Sequence, residues 1–352
     1  MHKKVWVVFI AVWVVLPVYA QSSKSVWVDS VFSKLSLPDK IGQILMIPLD
    51  GSADQNDLEK TISIIRKNKI GAVVVSGGGP TKLVRSINLL QRENEVPVLV
   101  GMNAEQGPGA VIDSVIKFPD PLMLGAVRDD SLIWFLGEQI GRQLKALGVH
   151  INFAPTSDLS TSFNNPDLFL SSFGENRDRV TKKIVTYQAS LRKEGIFCIA
   201  KHYPDNGIRV EGFHKGVPVL RSNTDPARLY PLQILIDNGL AGVVTAYEHE
   251  VIFPDKKRRF ADRKTILSAA VPTLYSGEYL KRQVNLKGLV FSFIPDIQDL
   301  NKKYGPGDAE VFAFQAGNDV LVFPKNINAT LRKMRRAIRK NKALEKQLDE
   351  SV

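Results

Sequence analysis

The feature that most constrains the fold is a repeated alternation of two kinds of segment. Short runs rich in apolar and β-branched residues occur at 43–48, 71–76, 96–102, 150–154, 196–202, 242–246, 288–294 and 319–323. Within each run the apolar residues are continuous rather than alternating. Strands buried on both faces of a parallel sheet have that pattern. Between them lie amphipathic stretches at 58–67, 83–93, 131–147, 177–193 and 225–238. Eight strands, each followed by a helix or a long loop, give the arithmetic of an α/β fold of the (β/α)8, TIM-barrel type. A doubly wound sheet is the alternative, and it would leave strands over. There is no Pro-, Gly- or Ser-rich linker and no internal repeat, so a single domain is the simplest organisation. Two irregular stretches, 103–118 and 203–219, directly follow strand ends. In a barrel those ends form the face where ligands bind, and loops this long in a compact domain usually serve function.

The first 20 residues read differently. Lys3 and Lys4 precede an apolar run at 5–18, and Val18-Tyr19-Ala20 offers a small residue before Gln21. That is the layout of a secretory signal peptide, and the run is shorter than the ~20 residues that span a bilayer. The expected division is therefore a signal peptide at 1–20 and a barrel at 21–352. Cys198 is the only cysteine, which excludes an intramolecular disulfide and a lipid anchor on a cysteine after the cleavage site. Export without disulfides suits the periplasm of a Gram-negative bacterium. The charged and hydrophobic fractions, 24% and 44%, are those of a globular protein. The net charge is +11, and Arg332, Lys333, Arg335, Arg336, Arg339, Lys340 and Lys342 crowd one C-terminal helix. Such a helix can touch anionic lipid or polymer, but the more usual meaning is a solvated face. Nucleic acid is not an expected partner of an exported chain.

Several ordered motifs resemble the family 3 glycoside hydrolases, in particular their β-N-acetylhexosaminidase branch. Lys40-Ile41-Gly42-Gln43 opens the domain. Phe118-Pro119 with Leu122-Met123-Leu124-Gly125-Ala126 follows, then Leu147-Gly148, Asn152-Phe153-Ala154-Pro155 with Asp158, and Ser172-Phe173-Gly174-Glu175. Lys201-His202-Tyr203-Pro204 ends the fifth strand, His214 and Gly216-Val217-Pro218-Val219 lie on its loop, and Ala316-Gly317-Asn318-Asp319 leads into the last strand. No single match is specific. Their common order over about residues 36–352 carries the resemblance.

The resemblance implies retaining chemistry, with a carboxylate nucleophile on one side of the anomeric carbon and a proton donor on the other. In that branch the nucleophile is an Asp ending the seventh strand. The donor is a His on the fifth loop, charged and oriented by an Asp two residues before it. Sugar is held by the Lys-His of the fifth strand, an Asp after the third strand and an Arg before Ser-Phe-Gly. Carried onto this chain, Lys201, His202 and Asp158 are present as substrate-binding candidates, and His214 stands at the donor position. Gly212 replaces the donor's partner, Asn103 the acid after the third strand, and Ser171 the arginine. A gap-free reading from Gly288 to Tyr304 puts Phe293 at the nucleophile position. A phenyl ring has no lone pair with which to attack a sugar. Asp296 could take the role only with an insertion in the strand and a compensating deletion. Asp205, Glu211 and Glu248 are other acids near the expected mouth.

The same residues have plainer readings. His214 without an adjacent acid is a contact or a relic rather than a donor. Lys201 meets either a ligand or an acid, for which Asp158 is the candidate, because a buried lysine is costly unpaired. Phe293 either fills a lost site or offers an apolar face to a sugar. His150 and His249 have no partners at metal-ligand spacing, so no metal or other cofactor is expected. Gly77-Gly78-Gly79 lacks the Lys-Ser/Thr of a phosphate loop and reads as a strand-to-helix turn. Three functions follow: a non-catalytic descendant binding a glycan, such as a peptidoglycan fragment, or a protein partner; a hydrolase with a relocated carboxylate; or an envelope scaffold with a plugged mouth. Related chains usually extend beyond Val352, so truncation or a lost partner domain is a further expectation.

Overall fold

Eight parallel strands close into a barrel. The computed structural model describes residues 23–160, 166–203, 219–220, 226–245, 249–250, 277–293 and 305–352. The expected targeting segment, residues 1–20, lies outside them. The chain divides into two units, Met1–Leu35 and Ser36–Val352. In the first, helix α1 covers Ser23–Phe32. The second is the barrel. Among the described residues no helix is long and apolar enough to cross a membrane.

The barrel strands are β1 (Leu45–Asp50), β2 (Ala72–Ser76), β3 (Leu99–Met102), β4 (Ile151–Asn152), β5 (Phe197–Tyr203), β7 (Gly242–Thr245), β9 (Leu289–Phe293) and β10 (Val320–Val322). Around the barrel they run in the order β1-β10-β9-β7-β5-β4-β3-β2. A separate parallel pair joins β6 (Val219–Leu220) to β8 (His249–Glu250). All eight expected strands are present, shifted by up to three residues at their starts. Gln43, expected in the first strand, instead ends helix α2 (Leu37–Gln43). Ser36 caps that helix through a reciprocal box with Asp39, which fixes the start of the domain.

Strand side chains bury on both sides, as the unbroken apolar runs require. Met46, Ala72, Val74, Ile151, Phe153, Ile199, Val244, Phe291, Val320 and Val322 fill the barrel interior. Phe153 and Phe291 meet there edge to face, with ring centroids 5.6 Å apart. Glycine makes room for them: a Cβ at Gly101 would lie 2.7 Å from Met46 Cε and 2.9 Å from a Phe153 ring carbon. The alternate strand residues, among them Leu45, Ile47, Val73, Val75, Val100 and Val243, pack outward against the helices.

Those helices include α3 (Gln55–Asn68), α4 (Pro80–Arg92), α6 (Asp130–Ala146), α8 (Arg177–Lys193) and α9 (Pro226–Asp237), with the short α5 (Pro121–Ala126) and α7 (Pro166–Phe169) between them. Asp54, Asp129 and Asn176 cap α3, α6 and α8 by accepting backbone N–H bonds. The triple glycine forms the turn from β2 to α4. Gly77 and Gly78 have φ of 66° and 79°, and a Cβ at Gly78 would collide with the Gly51 carbonyl.

After α10 (Gly277–Arg282) and α11 (Asp308–Gln315), helix α12 (Ile327–Arg339) buries Ala329, Thr330, Met334 and Ile338. It exposes Arg332, Arg335, Arg336 and Arg339 to solvent. Helix α13 (Lys342–Ser351) ties the end of the described chain to the barrel: Ser351 Oγ donates to Asp319 Oδ1 at 2.7 Å, and Lys40 pairs with Asp349 at 2.7 Å.

Candidate functional site

The mouth is built where β3, β4 and β5 end. Beyond β3 the chain runs Asn103-Ala104-Glu105, and the buried Asn152 at the end of β4 holds the middle residue from both sides. Asn152 Nδ2 donates to the Ala104 carbonyl, and the Ala104 N–H donates to Asn152 Oδ1, each at 3.0 Å. The Tyr187 hydroxyl of α8 donates to the Glu105 carbonyl at 3.0 Å. Burial pushes the Tyr187 phenol well above its ordinary value, so it stays a neutral donor. With the backbone pinned, Asn103 and Glu105 can meet the side chains of β5.

Lys201 is the meeting point. Its Nζ donates to Asn103 Oδ1 at 2.8 Å and lies 3.5 Å from Glu105 Oε2. The other Glu105 oxygen, Oε1, accepts the Thr156 N–H at 2.7 Å. The Lys201 and Glu105 side chains are 13% and 9% exposed, so the ammonium is held largely out of water between a carboxylate and an amide. The next residue goes elsewhere. His202 Nδ1 faces Asp158 Oδ2 at 2.8 Å, and the His202 N–H reaches Asp158 Oδ1 at 3.2 Å. Asp158 is only 1% exposed. Its carbonyl accepts the Ser172 hydroxyl at 2.7 Å. The Asp158 carboxylate occupies the Nδ1 side of the ring. The imidazole therefore has Nε2 left, and among the described residues it has no protein partner. The peptide bonds Ala154–Pro155 and Lys201–His202 are both cis.

The sequence-derived candidates thus divide. Lys201 meets Asn103 and, next to it along the chain, His202 meets Asp158, as two separate pairs. Asp158, expected as the acid for Lys201, serves His202 instead. Consecutive strand residues project differently, so Lys201 reaches back to the β3 loop while its neighbour takes the acid after β4. Ser171 makes a backbone bond to the Leu168 carbonyl at 3.1 Å and reaches the cluster only through its neighbour Ser172. Phe293 is the last residue of β9, the seventh barrel strand, and pairs with Val322. His214, Gly212 and Asp296 lie outside the described residues, as do Asp205, Glu211 and Glu248.

Glu105 was not among the candidates, yet it is the acid that Lys201 meets. One signal could have found it: it falls in the irregular stretch 103–118, directly behind a strand end. Among the described residues no three His, Cys, Asp or Glu side chains gather as a metal would require. Chemically, the described part of the mouth offers a clustered ammonium, an amide, an oriented imidazole and two buried carboxylates. Both carboxylates are already engaged by protein donors.

Comparison with known proteins agrees with this architecture. The family model "Glycosyl hydrolase family 3 N terminal domain" matches residues 36–352. "Beta-hexosaminidase A" of Pseudoalteromonas piscicida is 24% identical over 74% of this chain and 47% of its own length. "Beta-N-acetylglucosaminidase/beta-glucosidase" of Cellulomonas fimi is 24% identical over 93% of this chain and 58% of its own. "Beta-hexosaminidase LpqI" of Mycobacterium tuberculosis is 23% identical over 90% of this chain and 81% of its own. The chain thus spans about half of the first two relatives. Among solved structures, a β-N-acetylhexosaminidase from Beutenbergia cavernae superposes with a TM-score of 0.75 at 22% identity, covering 90% of this chain and 96% of that one. The β-glucoside phosphorylase BglX gives 0.81 at 20% identity, covering 95% and 60%. At such identities these likenesses speak for the fold, and the family model, over nine-tenths of the chain, speaks for membership: the protein belongs to glycosyl hydrolase family 3, through that family's N-terminal barrel domain.

Proposed function

We propose that this is an exported family 3 barrel that binds a glycan at the old active-site mouth without cutting it. The observation that carries the reading is Phe293. It ends the seventh barrel strand, the position at which the hexosaminidase branch needs its carboxylate nucleophile. A retaining mechanism requires two carboxyl groups about 5 Å apart across the anomeric carbon. Glu105 and Asp158 do not fit that task, because each carboxylate is already committed to a neighbouring cation or ring. What remains favours recognition. Lys201, Asn103 and the free Nε2 of His202 suit the hydroxyl and acetamido groups of an N-acetylhexosamine, such as one at the end of a peptidoglycan fragment. The names of the curated relatives support that sugar class.

The experiment is a saturation-transfer NMR titration with N,N′-diacetylchitobiose, comparing wild type with Lys201→Met. The reading expects saturable binding, weaker by about tenfold to a hundredfold in the variant, since a hydrogen bond from a charged donor is worth about 1.5–3 kcal/mol. Equal affinity in the two proteins, or none in wild type, would move the search to a protein partner. For the exported state, the mass of protein recovered from the periplasm should correspond to a chain starting at Gln21. Retention of residues 1–20 there would contradict the signal-peptide assignment.

A further inference from the structure

The opposite end of the barrel holds a cavity of about 450 Å³, lined where β3, β4, β5, β7 and β9 begin. Its apolar walls include Leu99, Ile151, Phe197 and Leu289. Leu99 and Phe197 are 39% and 54% exposed, unusual for large apolar side chains at strand starts. The volume lies within the range of small-molecule sites, roughly 300–1,000 Å³.

Three polar groups break the apolar lining, and they are not scattered. Gln188 of α8 is 3% exposed. Its Nε2 donates to the Asn238 carbonyl at 3.2 Å, while its Oε1 is buried with no hydrogen-bond partner. Arg192 stands one helical turn further on, and its Nη1 donates to the same Asn238 carbonyl at 2.6 Å. The amide and the guanidinium are therefore neighbours. Lys287, just before β9, adds a second exposed cation. Neither cation meets a carboxylate among the described residues.

We propose that this cavity is a second ligand site, taking a fatty carboxylate. The acyl chain lies among the strand starts, where Leu99 and Phe197 would otherwise face water. The carboxylate meets Arg192 and Lys287, the two cations at the rim. The site shares no residue with the mouth and stands or falls independently of glycan binding.

The test is calorimetric titration of the barrel-containing chain with dodecanoate and dodecyltrimethylammonium, each below its micellar concentration. The expected result is one-to-one binding of the carboxylate and none of the cation. Lys287→Glu, at an exposed position, should weaken the carboxylate severalfold. Leu99→Trp, which fills the cavity from its rim, should remove binding while circular dichroism and Tm report a folded barrel. Failure of dodecanoate to bind, equal binding of the cation, or undiminished binding in a folded Leu99→Trp protein would overturn the site.

Discussion

Glu105 sets the geometry of the mouth, because one oxygen takes Lys201 and the other the Thr156 backbone. Glu105→Ala takes from the Lys201 ammonium the one carboxylate it meets among the described residues, in a largely buried place, and removing one partner of such a pair costs about 3–5 kcal/mol. Chemical denaturation should show a midpoint lowered accordingly, and Lys201→Met, which leaves the buried Glu105 carboxylate with the Thr156 N–H but no cation, should lower it as well. A near-neutral Glu105→Ala would mean that water already screens the pair. His150 supplies a different test. Its Nδ1 accepts the Val100 N–H at 3.0 Å, which needs that nitrogen unprotonated, and burial lowers its pKa from the ordinary 6.5. Because the folded value is the lower one, the unfolded chain takes up the proton first as pH falls. Stability contributed by the neutral ring is therefore full above about 6.5 and declines below it, until the folded His150 also titrates. The fall in Tm between pH 7 and pH 5 should be smaller in His150→Gln, whose amide oxygen can still accept. An unchanged pH profile would show that His150 is not the group responsible.

Between elements, the strands were the most legible part of the sequence. Double-sided burial writes itself as an unbroken apolar run, and all eight runs became barrel strands. Their starts were less legible. Gln43 continues a helix because the Ser36–Asp39 capping box, not apolar content, decides where that element begins and how far it runs. The pairing of Lys201 was less legible still. It depends on Asn152 pinning Ala104, a contact across 48 residues that no local pattern announces. The barrel interior gives the element-scale prediction. Gly101 leaves the space that Met46 and Phe153 fill, so Gly101→Val overpacks the core and should cost about 1–3 kcal/mol. A second substitution, Met46→Ala, should recover part of that loss by vacating the nearest contact. If the double variant is no more stable than expected from two independent losses, the clash is not with Met46.

At the scale of the molecule, the proposed function sets family membership apart from chemistry. The chain belongs to glycosyl hydrolase family 3 from Ser36 to Val352, and the proposal is that the positions that would perform a displacement have changed together. It takes Phe293 to stand for the nucleophile, Gly212 for the donor's partner, Asn103 for an acid and Ser171 for an arginine. Fold alone does not carry activity. The substitutions could be read from the sequence because the motifs around them are intact. The relation of the fifth and seventh loops to the sugar could not, because loop geometry leaves no periodic trace in sequence.

The most direct measurement is release of the chromophore from a p-nitrophenyl N-acetyl-β-glucosaminide by wild type, Phe293→Asp and Asp296→Asn proteins. The account predicts that wild type does not exceed the buffer rate, since an enzyme lacking both nucleophile and positioned acid loses the groups that lower the barrier. Turnover by wild type that disappears in Asp296→Asn would contradict it, by showing that the nucleophile has moved three residues along the chain rather than been lost.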